Sequence, residues 1–210
     1  MFKDRVDAAT QLAERLKRYN LKDAVILAIP RGGVEIGYVL SQKLDLPLDV
    51  IFIKKIGHPL NKELAIGAVS QYGRTIDESF SISDEYIESE SSRVKQLLEE
   101  RHKEYAGERV PVVLKNKTVI LTDDGIATGQ TMLSALNVVK ANSPAKIIVA
   151  VPVASPRIMQ VLKSDVDLVI CEACPDDFQA VGQFYKSFTQ LSDQEAINLL
   201  RKANKTHIET

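Results

Sequence analysis

A chain of 210 residues, 45% hydrophobic and 26% charged, is long enough to bury a core without disulfides or a structural metal. Its formal net charge of -1 supplies no basic field for nucleic acid, so a polyanionic ligand must be met by a few local cations or by an ion. Only two cysteines occur, no basic-then-apolar leader precedes Asp4, and the run IIVAVPVA at 147–154 is about half the ~20 residues of a membrane helix; the expectation is a cytoplasmic protein with no membrane span.

Over residues 3–19, Val6, Ala9, Leu12, Ala13 and Leu16 recur at three- and four-residue spacings among charges, which predicts an amphipathic helix. AVILAI at 24–29, between Asp23 and Pro30, reads as a strand buried on both faces, and it ends in PRGG. A helical pattern from Val34 to Leu44 and a second apolar run, LDVIFI at 48–53, complete a βαβ unit. Lys54 and Lys55 then close the second strand at the crevice end of the sheet. Alternation and two glycines in ELAIGAVSQYG (63–73), after the loop KKIGHPLNK, predict a twisted strand or hairpin. Ser83, followed by Asp84 and Glu85, is an N-cap for a long, largely exposed helix to about Tyr105, within a helical excursion over about 77–110.

After Pro111 the buried pattern returns as strand 118–122, helix 129–141, strand 146–151, helix 155–163 and strand 166–171. Ser192 and Glu195 form a capping box for a short final helix carrying Ala196, Ile197, Leu199 and Leu200. Right-handed crossovers give an α/β fold, an open and mostly parallel sheet with helices on both faces, taken as one domain over 1–210. Its ligand crevice lies beyond the strand C-termini, where PRGG and the loop after 118–122 both fall.

That second loop carries the chemistry. In VILTDDGIATGQT, residues 119–131, the small residues Gly125, Ala127, Thr128 and Gly129 let backbone N–H groups approach a phosphate, and the following helix N-terminus adds partial positive charge. Thr128 and Thr131 add hydroxyl donors. Asp123 and Asp124 would repel a phosphate unless they faced something else, and ribose hydroxyls are suitable donors to them. The run lacks the Gly-Lys-Ser/Thr ending of a Walker loop and the spacing of a dinucleotide turn. A plain strand-to-helix turn with one aspartate as cap is the simpler alternative, disfavoured by the length of the pattern.

Four apolar or neutral residues, two acids, two variable residues and Ala-Thr-Gly-x-Thr resemble the phosphoribosyl pyrophosphate signature of type I phosphoribosyltransferases, and the match runs through all of 119–131. The wider resemblance covers roughly Asp23 to Phe188 and implies a three-layer phosphoribosyltransferase-like sandwich with a small hood near 172–190. It implies transfer of ribose-5-phosphate from phosphoribosyl pyrophosphate to a nucleobase or other amine, with pyrophosphate released and Mg²⁺ held mainly through the substrate. Asp123, Asp124, Arg31 and Lys55 would serve catalysis. Gly125, Ala127, Thr128, Gly129 and Thr131, with the two aspartates, would hold phosphate and ribose. PRGG stands where the family binds pyrophosphate, through Arg31, Gly32 and Gly33, whose glycines permit close approach and a strained or cis peptide; alone, such a tetrapeptide is as often an ordinary turn. One of Lys54 and Lys55, Lys55 rather than Lys54, would neutralise phosphate; simple surface solvation of the pair is an equal alternative.

Several readings stay open. His58 could donate to pyrophosphate or act as an acid if a loop, either 56–74 or the stretch after Thr75, closes over the centre. Phe178 and Tyr185 offer stacking surfaces to an acceptor, with Asp176 and Asp177 as hydrogen-bond acceptors, or simply pack in the core. Cys171 and Cys174 form C-x-x-C, but no second pair exists and His58, His102 and His207 are scattered, so packing is expected rather than zinc or redox chemistry. The resemblance implies a homodimer, though no residue marks an interface. The rival functions are a non-catalytic regulator that binds phosphoribosyl pyrophosphate or a nucleotide, and a hydrolase acting on phosphoribosyl pyrophosphate.

Overall fold

The computed structural model describes residues 1–206; His207 lies outside the described residues. Five parallel strands, β1 (Ala24–Ala28), β2 (Leu48–Val50), β6 (Thr118–Thr122), β7 (Lys146–Val153) and β8 (Leu168–Ala173), stand in the order β2-β1-β6-β7-β8. Alternate side chains of these apolar strands go to opposite faces, as the two-residue repeat of a strand requires. Ala24, Ile26, Ala28, Ile120, Ile148 and Ile170 face α1 (Arg5–Leu16), α2 (Gly32–Leu44) and α6 (Asp193–Thr206). Val25, Leu27, Val119, Leu121, Val149 and Val151 face α4 (Gln130–Ala141) and α5 (Pro156–Asp165). The result is a three-layer α/β sandwich.

Because α2 covers one face and α4 the other, neighbouring strands β1 and β6 send their following loops in opposite directions, which opens a crevice at their carboxyl ends. The pairing Ala28↔Thr122 and the bond from Ile29 N–H to Thr122 O (2.9 Å) set both loops at the same level.

Three expectations need correction. The second parallel strand stops at Val50, and Lys54 and Lys55 do not close it: they open β3 (Lys54–His58), which pairs antiparallel with β4 (Asn61–Ser70), itself paired with β5 (Gly73–Ile76), in a separate three-stranded sheet. The apolar run 48–53 crosses from one sheet to the other, and composition does not mark where pairing changes. In α1 Val6 is 47% exposed while Arg5 is only 6% exposed, because the buried stripe is Arg5, Ala8, Ala9, Leu12, Ala13 and Leu16. Strand 166–171 is displaced to Leu168–Ala173, since Asp167 instead accepts the Ile147 N–H (2.7 Å) before the strand begins.

The long helix α3 (Asp84–Ala106) begins at the Ser83 cap and buries one stripe, Ser91, Val94, Leu98, His102 and Tyr105. A buried polar cluster fixes it and the second sheet to edge strand β2. Asp49 accepts from His102 Nε2 (2.8 Å), Tyr72 OH (2.8 Å), Val112 N–H (3.0 Å) and Val50 N–H (2.8 Å). Burial and the Asp49 charge push the Tyr72 phenol well above its ordinary range. Such a buried carboxylate is tolerated because it is fully partnered. Ser192 and Glu195 exchange the expected capping-box bonds, Ser192 N–H to Glu195 Oε2 (2.8 Å) and Glu195 N–H to Ser192 Oγ (3.3 Å). Among the described residues no helix is long and apolar enough to cross a membrane.

Candidate active site

Helix ends separate into two groups. Asp4 caps α1, Ser83 caps α3, and Ser192 bonds into the first turn of α6. The helices that start at the crevice, α2 after Arg31, α4 after Gly129 and α5 after Ser155, have no side-chain cap. Ser155 turns its hydroxyl away to Ala127 O (2.8 Å). First-turn N–H groups without a side-chain acceptor, together with the helix dipole, suit an anion.

Two glycines make the crevice geometrically possible. A Cβ on Gly33 would stand 2.9 Å from Thr122 O and 3.0 Å from Asp123 Cα, so the PRGG and DDGIATGQT loops touch backbone to backbone only because position 33 carries no side chain. Gly129 has φ +78°, and a Cβ there would overlap Ile158. The peptide between Pro30 and Arg31 is cis.

Asp123 and Asp124 sit half-buried at the centre. Burial raises the Asp123 carboxyl well above the usual carboxylate range, and the neighbouring Asp124 adds to the rise; the Asp124 N–H, which donates to Asp123 Oδ1 (2.8 Å), works the other way. Burial also raises Asp124, opposed by Arg5. Arg5 Nε donates to Asp124 Oδ2 at 2.8 Å, and its Nη1 donates to Thr189 O at 2.8 Å and lies 3.6 Å from Glu35. The Asp124 carboxylate lies across Gly32, where an added Cβ would overlap it. Burial raises Glu35 too, with Arg5 opposing.

The other sequence candidates distribute as follows. Gly125 packs against Val153 and Val181, while Ala127, Thr128 and Thr131 are exposed at the start of α4. A cavity of about 520 Å³ opens against this loop, lined by Ala127, Thr128, Gln130, Ser155 and Arg157 among others. Lys55 reaches the signature loop from the second sheet, its Nζ donating to Gln130 Oε1 (2.6 Å); Gln130 had no assigned role in the sequence. Lys54 is exposed. Arg31 is half-buried at the start of α2. His58 belongs to the β3–β4 turn, with Nδ1 accepting from Leu60 N–H (3.2 Å) and its ring edge-on to Phe80.

Tyr185 needs correction as an acceptor surface. It is 6% exposed, its hydroxyl donates to Asp124 O (2.6 Å), and its ring lies between Phe2 and Phe188. Phe178 packs on Phe184, with ring centroids 5.3 Å apart. These aromatics form a strap: Phe2 N–H donates to Phe184 O (2.8 Å), Lys186 N–H to Phe2 O (2.9 Å) and Ser187 N–H to Lys3 O (3.0 Å), tying segment 184–187 to the N-terminal residues. Cys171 and Cys174 are free; the Cys171 thiol is pushed up to about 12 by burial. Sequence reasoning missed Arg5 and Glu35, since charged residues of amphipathic helices are read as solvent-facing.

The chain belongs to the phosphoribosyl transferase domain family, whose pattern matches residues 2–187. Two Mycobacterium tuberculosis proteins, named "Putative phosphoribosyl transferase MT0597" (strain CDC 1551 / Oshkosh) and "Putative phosphoribosyl transferase Rv0571c" (strain ATCC 25618 / H37Rv), are each 35% identical over all of this chain. The chain spans about half the length, 48%, of these curated relatives. The crystal structure of TT1426 from Thermus thermophilus superposes with a TM-score of 0.85 at 36% identity, covering 96% of this chain and 98% of that one.

Proposed function

We propose that the crevice binds phosphoribosyl pyrophosphate and transfers its ribose-5-phosphate to a nucleobase or other amine. One observation carries this reading: on adjacent strands, two helix N-termini without side-chain caps flank a pair of half-buried carboxylates. The 5′-phosphate takes the amides from Gly125 to Thr131 and the hydroxyls of Thr128 and Thr131. Ribose hydroxyls donate to Asp123 and Asp124. Pyrophosphate lies toward Arg31, Gly32 and Gly33, with Lys55 or Lys54 closing from the second sheet. The bond from C1 to the pyrophosphate oxygen breaks as the acceptor nitrogen bonds to C1 from the opposite face, and the acceptor's proton leaves to water. Arg31, Lys55 and the loop amides stabilise charge growing on the leaving group, while the phosphate contacts fix the ring in place.

Mg²⁺ fits this donor set as an ion carried on the substrate's own oxygens. Asp124 is already engaged by Arg5 through Oδ2 (2.8 Å). When bound, the ion neutralises pyrophosphate charge.

The test is pyrophosphate release by the full chain with phosphoribosyl pyrophosphate and Mg²⁺ across a panel of nucleobases and simple amines. Release that depends on one acceptor is the expected result. Donor binding without turnover would establish a sensor instead, and release independent of acceptor a hydrolase.

A further inference from the structure

Arg5 is a buried cation of the crevice, and it comes from the first turn of α1 rather than from either loop. Its guanidinium is buried and makes three ties besides its 3.6 Å ion pair with Glu35. Nε donates to Asp124 Oδ2 (2.8 Å), Nη1 donates to Thr189 O (2.8 Å), and the plane lies 4.1 Å over the centre of the Phe188 ring. Phe188 in turn stacks on Tyr185, whose hydroxyl bonds the Asp124 carbonyl. One aspartate is therefore gripped through its side chain and its backbone by a single unit built from the two ends of the fold.

The surroundings give that grip a purpose. Asp124 is faced by Asp123 from its own loop, Glu35 from α2, Arg5 from α1 and the Tyr185 phenol from the strap, while Asp4 and Glu195 act on Glu35 beside it. Arg5 is the cation among them. Burial favours a neutral Asp124, and a neutral carboxyl is a poorer acceptor for sugar hydroxyls. The geometry points to Arg5 as a positioning residue that keeps Asp124 charged and turned across Gly32, so that the strap and the N-terminal helix set how strongly the signature loop grips a ribose. This inference rests on the donor-binding reading above.

The test compares wild type, Arg5→Gln, Arg5→Lys and Phe188→Ala as full chains. Calorimetry gives the affinity for phosphoribosyl pyrophosphate with Mg²⁺ from pH 5.5 to 8.5, and ¹³C NMR of labelled aspartates follows the Asp124 carboxyl without donor. Removing an opposite charge at this distance raises a carboxyl pKa by about one to three units. Arg5→Gln should therefore move the acid limb of donor binding and the Asp124 titration upward together, with affinity recovering toward alkaline pH. Arg5→Lys should move both less, because the charge remains without the planar fork. Phe188→Ala, which removes only the ring beneath the guanidinium, should give a smaller shift in the same direction, and it decides the matter should Arg5→Gln fail to fold. An equal loss of affinity at every pH, or an unmoved carboxyl titration, overturns the role of Arg5. A wild-type chain that binds no donor overturns the donor reading instead, and the carboxyl titration still judges Arg5.

Discussion

Replacing Asp123 by Asn removes a negative charge from a position where burial and the adjacent Asp124 both raise the carboxyl pKa. Two neighbouring carboxylates at an effective dielectric near 20 repel by about 2–4 kcal/mol. The Asp123→Asn change also loses attraction to Arg5, so the net gain should be about 1–2 kcal/mol at pH 7.5, the range in which active-site substitutions often stabilise. For a chain of this size that is roughly a 2–8 °C rise in Tm. The pH dependence follows from linkage. With the folded pKa above the unfolded value of 3.8, the native state binds the extra proton between the two, and wild-type stability falls as pH rises through that window. The advantage of Asn is thus greatest above the raised pKa and disappears below the unfolded one. Urea unfolding of both chains at pH 7.5 and near pH 3.5 tests this, and an Asn variant no more stable than wild type at pH 7.5 would refute the claim that the carboxylate pair is held against its electrostatic preference.

Other expectations are independent of that one. Gly32→Ala places a methyl group where the Asp124 carboxylate lies, so donor affinity should fall about tenfold or more in calorimetry, with a stability loss of about 1–3 kcal/mol. Asp49→Ala leaves His102, Tyr72 and two N–H groups without their acceptor and should cost about 3–5 kcal/mol by urea unfolding. With Cys171 pushed up to about 12 by burial and Cys174 exposed, iodoacetamide at pH 8 should label Cys174 and spare Cys171, as peptide mass mapping would show.

What could be read from the sequence is what is local. The strand, loop and helix of 118–141 are specified within one stretch of chain: apolar Val119–Leu121, then small residues, then helical spacing. The alternating βα pattern of the second half carries its own topology, because crossovers between parallel strands have one hand. The second sheet was less legible. Lys54 and Lys55 look like the end of a parallel strand until β4 is known to pair with them, and that pairing is a contact between segments, not a composition. Arg5 escaped for a related reason. Its burial depends on Phe188 and Thr189, far along the chain, and an arginine at a helix start otherwise reads as solvated. Tyr185 was ambiguous between ring surface and core, and only the bridge from Phe2 to Tyr185 decides for the core.

The most direct measurement is a calorimetric titration of the full chain with phosphoribosyl pyrophosphate and Mg²⁺, repeated on Asp123→Asn after its fold is verified by circular dichroism. Saturable heat in the wild type, with affinity about ten- to a hundredfold weaker in a variant that is as stable or more so, is the expected result. Silence in the wild type, or equal affinity in both chains, would contradict the assignment of this crevice to a phosphorylated ribose.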